Sequence, residues 1–206
     1  MVAAAAASWG LWSLFLRPTE LSTRATAPLV FGVIGVTALA LVARDRTPPR
    51  WDRVTVALLV ANAAGDALNL VTFFGAMERT TVAVAVLTHY LAPILVAVAA
   101  PYVERVRVRG ASLAALVATA GLTLILAPWR PENRTGEVGV GALLGAVSAV
   151  AYAGNVFVVR HLAPRIGAAR VMAYHSLLAA AVLLPFAGHE LAAVTREDLA
   201  LLSLGA

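Results

Sequence analysis

The sequence predicts an all-α membrane protein, a multi-span bundle of hydrophobic helices. Of the 206 residues, 61% are hydrophobic and only 13% are charged, whereas soluble domains carry about 45–50% and about 25% of these classes. The mean hydropathy of the chain is +0.84. The apolar residues fall in long runs, without the alternation of a membrane-spanning β-strand. Lipid rather than water is therefore the solvent that covers this much apolar surface.

Seven apolar segments and a short final one follow each other along the chain. Because lipid offers no hydrogen-bonding partners, each segment must satisfy its own backbone groups and is interpreted as a helix. The first is short for a hydrocarbon core of roughly 30 Å, so either the bilayer thins around it or the natural start lies upstream. The segments are residues 2–16, 27–43, 54–77, 80–102, 111–127, 138–159 and 171–187, and the final one is 199–206.

Prolines support these boundaries, since a proline removes a backbone donor and is poorly tolerated inside a helix. Pro93 differs because it lies inside the fourth segment, where it predicts a kink. The prolines at or beyond predicted segment ends are Pro28, Pro48, Pro49, Pro128, Pro131 and Pro164.

The arginines predict the orientation of the bundle. The connectors 44–53, 105–109 and 160–170 hold ten arginines and, with Glu104 just before the second, three acidic residues, whereas the six remaining arginines accompany seven acidic residues in the other connectors. Cytoplasmic loops carry the excess of basic residues. The sequence therefore predicts that these three connectors and the N-terminus are cytoplasmic, in a multi-pass protein of the cell membrane.

The net charge of +5 does not indicate a nucleic-acid partner. All 16 basic residues are arginines in short connectors, not a stripe along one helix face. There is no Cys, and the four histidines lack metal-ligand spacing. No nucleophile-elbow motif is present either. We therefore predict no cofactor, no metal and no enzymatic activity.

A weak internal repeat has consequences for topology. A shift of the sequence by 143 residues brings the first two segments onto the sixth and seventh without a gap, and Arg17 onto Arg160. This predicts a first repeat at 1–128, an extracytoplasmic linker at 129–137 and a partial second repeat at 138–206, which stops in its third helix. Because five is an odd number of crossings, the second repeat would begin on the opposite side of the membrane from the first. The two repeats would therefore have inverted topology, as in secondary transporters.

Several short motifs follow one another along the chain: Trp9 and Gly10, the run 76–81 (AMERTT), Pro93, Glu104 before the turn at Gly110, and Gly121. In this order they resemble the motifs of the EamA-type branch of the drug/metabolite transporter superfamily. The resemblance implies ten helices, cytoplasmic termini, and export or exchange of small metabolites. This chain supplies seven predicted helices and a partial eighth, so an incomplete second repeat is expected.

Asp66 is the one charged residue placed deep inside a predicted span. A carboxylate there costs about 2.5–3.5 kcal/mol and usually faces a cavity or a partner. Asn62, Asp66 and Asn69 share one helix face through their i, i+4, i+7 spacing. We interpret this face as the lining of a polar cavity, with Asp66 as a proton or cation site. The alternative is a hydrogen-bonded helix clasp with a neutral Asp66.

A second candidate group precedes the predicted kink. Thr88, His89 and Tyr90 lie just before Pro93, and a proline kink leaves backbone carbonyls free to bind substrate. His89 has a side chain that titrates near neutral pH. An interhelical hydrogen bond by His89 and simple packing by Tyr90 are the alternatives.

The sixth segment repeats the same polar spacing. Ser148, Tyr152 and Asn155 follow i, i+4, i+7, which makes them candidate contributors from the second half. Residues 174–176 (Tyr-His-Ser) form a further polar cluster in the seventh segment, for which a position at the membrane interface is equally compatible. Gly141 and Gly145 form a G-x-x-x-G pair, which favours close helix packing.

The sequence therefore predicts a secondary transporter for a small neutral, zwitterionic or cationic metabolite or drug, which works by alternating access. No Arg or Lys lies within a predicted span, which disfavours phosphorylated substrates. The expected partners are the lipid bilayer and a small-molecule substrate, with a homodimer left open. The alternatives are a truncated, non-transporting membrane remnant and a membrane-embedded enzyme.

Overall fold

A computed structural model describes residues 19, 21–106 and 110–205, and this part of the chain is all-helical. The predicted first segment, 2–16, lies outside the described residues. Two short 3₁₀ turns, Pro131–Asn133 and Gly188–Ala193, lie between longer elements. The α-helices are α1 Thr23–Val42, α2 Arg53–Arg79, α3 Val82–His89, α4 Ala92–Val103, α5 Ala111–Leu126, α6 Val138–Ile166, α7 Ala168–Ala187 and α8 Arg196–Gly205.

Five described spans are long and apolar enough to cross a membrane: α1, α2, α3 with α4, α6 and α7. The remaining apolar helix, α5, is shorter. It buries none of its side chains, and Leu124 and Ile125 are 70% and 82% exposed. Exposed aliphatic side chains of this size are stable next to lipid rather than water. The predicted all-helical fold class is confirmed, with five spans that are long and apolar enough to cross a membrane.

Most of the proline predictions are confirmed, since Pro48, Pro49, Pro128 and Pro131 lie outside the α-helices. The break expected at Pro93 is present, since α3 ends at His89 and α4 begins at Ala92. Pro28 and Pro164, however, lie inside α1 and α6 rather than beyond their ends. Each removes one intrahelical hydrogen bond, to the carbonyl oxygen four residues earlier, and the helix continues past it.

Helix α6 also continues beyond the predicted end at residue 159, as far as Ile166. Its last turns are stabilised by ion pairs, because Arg160 bonds Glu104 and Arg165 bonds Asp52. A segment boundary drawn by hydropathy stops at the first arginine and cannot anticipate such pairs.

The helices cluster into two compact units. The first combines the described residues before Ala64 with those from Leu162 onward. In it α1 packs along α7, and this approach depends on Gly35, where a Cβ atom would lie 2.7 Å from Cγ of Leu177.

The second unit, residues 64–161, contains α3, α4 and α5, with parts of α2 and α6. On α6, Gly141 lies against Thr80, two residues before α3, and Gly145 lies against Thr88 of α3. An added Cβ atom at Gly141 would collide with Thr80, and one at Gly145 would collide with Thr88. The close helix packing predicted from the G-x-x-x-G pair is therefore confirmed.

Connectors meet at the helix ends within each unit. In the first unit, Arg170 donates to the carbonyl oxygen of Thr47 at 2.8 Å and the backbone N–H of Arg50 donates to the carbonyl of Arg165 at 2.8 Å. In the second unit, Thr80 pairs with Gly136 in an antiparallel bridge. Thus connector 44–53 contacts connector 160–170, as expected if both lie on one side of the bilayer.

Candidate functional site

Two polar side chains join α2 and α6 within their apolar spans. Nδ2 of Asn155 donates a hydrogen bond to Oδ1 of Asp66 over 2.5 Å. The side chain of Asn155 lies directly over Gly65, where any Cβ atom would collide with the amide. Gly65 therefore allows Asn155 to reach Asp66. Sequence reasoning missed this role of Gly65, because the neighbour that requires a glycine is 90 residues away in the chain.

A second hydrogen-bonded group joins three helices. Oγ of Ser148 on α6 donates to Oδ1 of Asn69 on α2 over 2.8 Å. Nδ1 of His89, the last residue of α3, lies 2.6 Å from the same Ser148 oxygen. Ser148 is fully buried. The histidine, the hydroxyl and the amide thus form one continuous chain among apolar helices.

Aromatic rings surround His89 on two sides. The ring of Phe73 lies 4.5 Å from the imidazole centroid, and that of Tyr152 meets it edge-on at 5.5 Å. Tyr152 is also within electrostatic range of Asp66 and Tyr90. Tyr152 therefore links the Asp66–Asn155 pair with the histidine group.

The break between α3 and α4 lies next to this group. Tyr90 and Leu91 form the turn, and α4 begins with Ala92 and Pro93. Because Pro93 has no N–H, the carbonyl oxygen of His89 lacks the donor that a continuous helix would supply four residues later. A polar backbone atom is thereby left available at the position where side chains from three helices meet.

A cavity of about 730 Å³ lies in the same unit, between α4, α5 and α6. Its volume is in the range of pockets that hold small organic molecules. Most of its lining is aliphatic, with Pro93 and Tyr152 shared with the polar groups described above. The wall includes Pro93, Ala97, Ala115, Tyr152, Val156 and Arg160.

Arg160 lies beyond the predicted end of the sixth segment and still contributes to the cavity. Because α6 continues past residue 159, Arg160 lies within the helix and contributes to the cavity wall. Its guanidinium group forms an ion pair with Glu104, whose side chain is only 8% exposed. The cation at this end of the cavity is therefore offset by a carboxylate.

The structure brings together seven of the eight residues proposed from the sequence. Asn62, the eighth, lies one turn before Asp66 on α2; it is fully buried, and its amide has no hydrogen-bond partner among the described residues. The seven that share the second unit are Asp66, Asn69, His89, Tyr90, Pro93, Tyr152 and Asn155.

The polar cluster of the seventh segment belongs to the first unit, not to the one that holds these residues. His175 and Ser176 are buried on α7. Tyr174 packs against Trp51, with ring centroids 5.7 Å apart.

The sequence matches no protein-family model and no curated protein. In three dimensions the chain is similar to a protein of known crystal structure, with a TM-score of 0.72 and 23% sequence identity, over 97% of this chain and 76% of the other. A likeness at this level of identity establishes a shared helical fold.

Proposed function

We propose that this protein is a secondary transporter that moves a small organic solute across the cell membrane by alternating access. Its fold class, membrane-spanning helices that converge on a polar group, is the kind that supports such transport. EamA-type membership, two inverted repeats at 1–128 and 138–206, and cytoplasmic placement of the N-terminus are parts of the same proposal. The lipid bilayer and the solute would be its partners.

One observation carries the proposal. Polar side chains from α2, α3 and α6 meet within apolar spans, next to a cavity of about 730 Å³. Ionisable groups inside a membrane are costly and are kept where they line a pathway for ions or substrates. Tyr152 and Pro93 belong both to the cavity wall and to the polar surroundings of His89, so a solute in the cavity would contact that group.

The cavity lining favours an uncharged, zwitterionic or cationic solute with a sizeable apolar part. Aliphatic side chains form most of the wall, and the charge of Arg160 is offset by Glu104. A phosphorylated solute would require cations that are not already paired. Asp66 supplies a carboxylate near Tyr152, which suits an amine or a proton.

Transport can be tested in proteoliposomes with a defined panel of amino acids, alkylamines, hydrophobic cations and sugar phosphates. Electrical recordings on solid-supported membranes detect charge movement, and a pyranine-filled lumen reports proton flux. We expect a response to members of the first three classes, and none to sugar phosphates. Asp66→Asn and Tyr152→Phe should each reduce the response at least tenfold.

Thr119→Val serves as the matched control, because the Thr119 hydroxyl only bonds the Ala115 carbonyl of its own helix. This variant should retain the wild-type response. Equal responses from empty vesicles and from protein vesicles across the panel would contradict the proposal. Full activity of both single variants, Asp66→Asn and Tyr152→Phe, would contradict it as well.

A further inference from the structure

The hydrogen-bond chain through Ser148 fixes the direction of its protons. Oδ1 of Asn69 is a carbonyl oxygen and only accepts hydrogen bonds, so the single hydroxyl proton of Ser148 is used in the 2.8 Å bond to Asn69. The Ser148 oxygen is then left as an acceptor toward Nδ1 of His89, 2.6 Å away. An acceptor at this distance requires that Nδ1 carries a proton.

We infer that neutral His89 is the Nδ1–H tautomer and that Nε2 is the proton-binding atom of the polar group. In a neutral imidazole only one nitrogen is protonated, so Nε2 keeps its lone pair. When His89 binds a proton, that proton enters at Nε2. The chain from Nδ1–H through Ser148 to Asn69 is the same before and after, so the charge changes without loss of a hydrogen bond.

Several titratable groups lie around His89. Tyr90 is the neighbouring titratable group on its own segment, and Tyr152 on α6 meets the imidazole edge-on. Asp66 on α2 is near Tyr152. Helix α5, which also packs against α3, has no titratable side chain.

This inference deepens the proposed function, since it names the atom that would couple transport to protons. The protonation of His89 can nevertheless be measured without any transport assay. The full chain, labelled with ¹⁵N-histidine, is reconstituted in lipid nanodiscs, and ring nitrogen shifts are recorded from pH 8 downward. His89→Gln identifies which of the four histidine spin systems belongs to His89.

At high pH we expect a protonated, pyrrole-type Nδ1 and an unprotonated, pyridine-type Nε2 for His89. As the pH falls, Nε2 should move to the pyrrole-type shift while Nδ1 stays nearly constant. A neutral His89 protonated on Nε2, or addition of the second proton at Nδ1, would overturn the inference. This result stands whether or not the protein transports any member of the panel.

Two variants test the origin of the tautomer. Asn69→Leu removes the acceptor, so the Ser148 hydroxyl becomes free to donate to Nδ1, and the Nε2–H tautomer should become populated. Asn155→Leu is the matched control, because it removes an amide that bonds Asp66 and not Ser148. It should leave the tautomer of His89 as in the wild type. If the tautomer of His89 is unchanged in Asn69→Leu, the hydrogen bonds through Ser148 to Asn69 do not determine it.

Discussion

Asn155 donates a hydrogen bond to Asp66 across 2.5 Å, and it does so between two helices that are long and apolar enough to cross a membrane. The contact depends on Gly65, which leaves room for the amide. Either a charged carboxylate is held there by a fixed donor, or a neutral acid takes part in a helix clasp. These two alternatives, both of which follow from the sequence, differ in the energy of the bond.

A double-mutant cycle separates them. Asp66→Ala, Asn155→Ala and the double variant are unfolded reversibly in mixed micelles, and the coupling energy is taken from the three differences. Neutral interhelical hydrogen bonds in membranes average about 0.6 kcal/mol, whereas bonds to charged groups contribute about 1.5–3 kcal/mol. We expect a coupling above about 1.5 kcal/mol. As a control, the changes in unfolding free energy caused by Asn155→Ala and Thr119→Val should be additive. A coupling energy near zero between Asp66 and Asn155 would disprove the direct bond.

Substitutions at glycines of α6 should have opposite effects according to what lies next to them. Gly145→Ala would force the new methyl group against Thr88, so we expect a loss of about 1–3 kcal/mol from overpacking. Gly154→Ala, on the same helix, meets no atom within 4 Å. It should be neutral or stabilising by up to about 1 kcal/mol, since alanine favours helix over glycine. Equal stabilities of the two variants would contradict the packing of α6 against α3.

The connector in the first unit depends on Gly167. This residue has φ +87° and ψ 146°, a conformation that side chains rarely adopt, and the carboxylate of Asp45 occupies the space of a Cβ atom. Gly167→Ala should therefore lower the melting temperature more than Gly110→Ala, which has a similar φ of +81° but no atom within 4 Å. If Gly110→Ala is the more damaging of the two, the contact between Asp45 and Gly167 is not present.

Acid should weaken this connector. The pKa of Asp45 is held below its usual value of 3.8 by the N–H and hydroxyl of Thr47 and by Arg170. The pKa of Asp52 is lowered in the same way by Thr55 and Arg165. Because the folded pKa values are depressed, the stabilisation is complete above pH 3.8 and is lost as the pH falls through the folded values.

Unfolding in mixed micelles between pH 7 and pH 2 measures this effect. The wild type should keep constant connector stability down to about pH 4 and lose it below that value. Asp45→Asn with Asp52→Asn should be less stable at pH 7 and should change less over the acid range. A wild-type stability that rises on acidification below pH 4 would contradict the assignment.

The helices were predictable because lipid imposes long apolar runs, and the break at Pro93 followed from the missing N–H of proline. The end of α6 was not predictable from hydropathy, because the helix continues through Arg160, which pairs with Glu104, 56 residues away. Pro28 and Pro164 were assigned to helix ends because proline is poorly tolerated inside a helix. The sequence around a proline does not reveal whether the helix continues past it.

The candidate residues were partly predictable for a similar reason. Helical spacing placed Asp66 and Asn69 on one face, and Tyr152 and Asn155 on another, but spacing cannot pair one face with its partner. The partners of Gly65, Gly141 and Gly145 were equally hidden, since each is defined by a distant side chain. The same spacing included Asn62, whose amide makes none of the hydrogen bonds that join α2 to α6.

The central claim is that the cavity of the second unit is a water-accessible pathway within the membrane. The chain contains no Cys, so single cysteines can be introduced without a background and treated with a charged methanethiosulfonate reagent in sealed vesicles. Ala97→Cys and Tyr152→Cys, at the cavity wall, should react, whereas Val117→Cys, 64% exposed on α5 and expected to face lipid, should not. The account would be contradicted if the cysteines at positions 97 and 152 react only after denaturation. Equal reactivity of these two cysteines and the one at position 117 would contradict it as well.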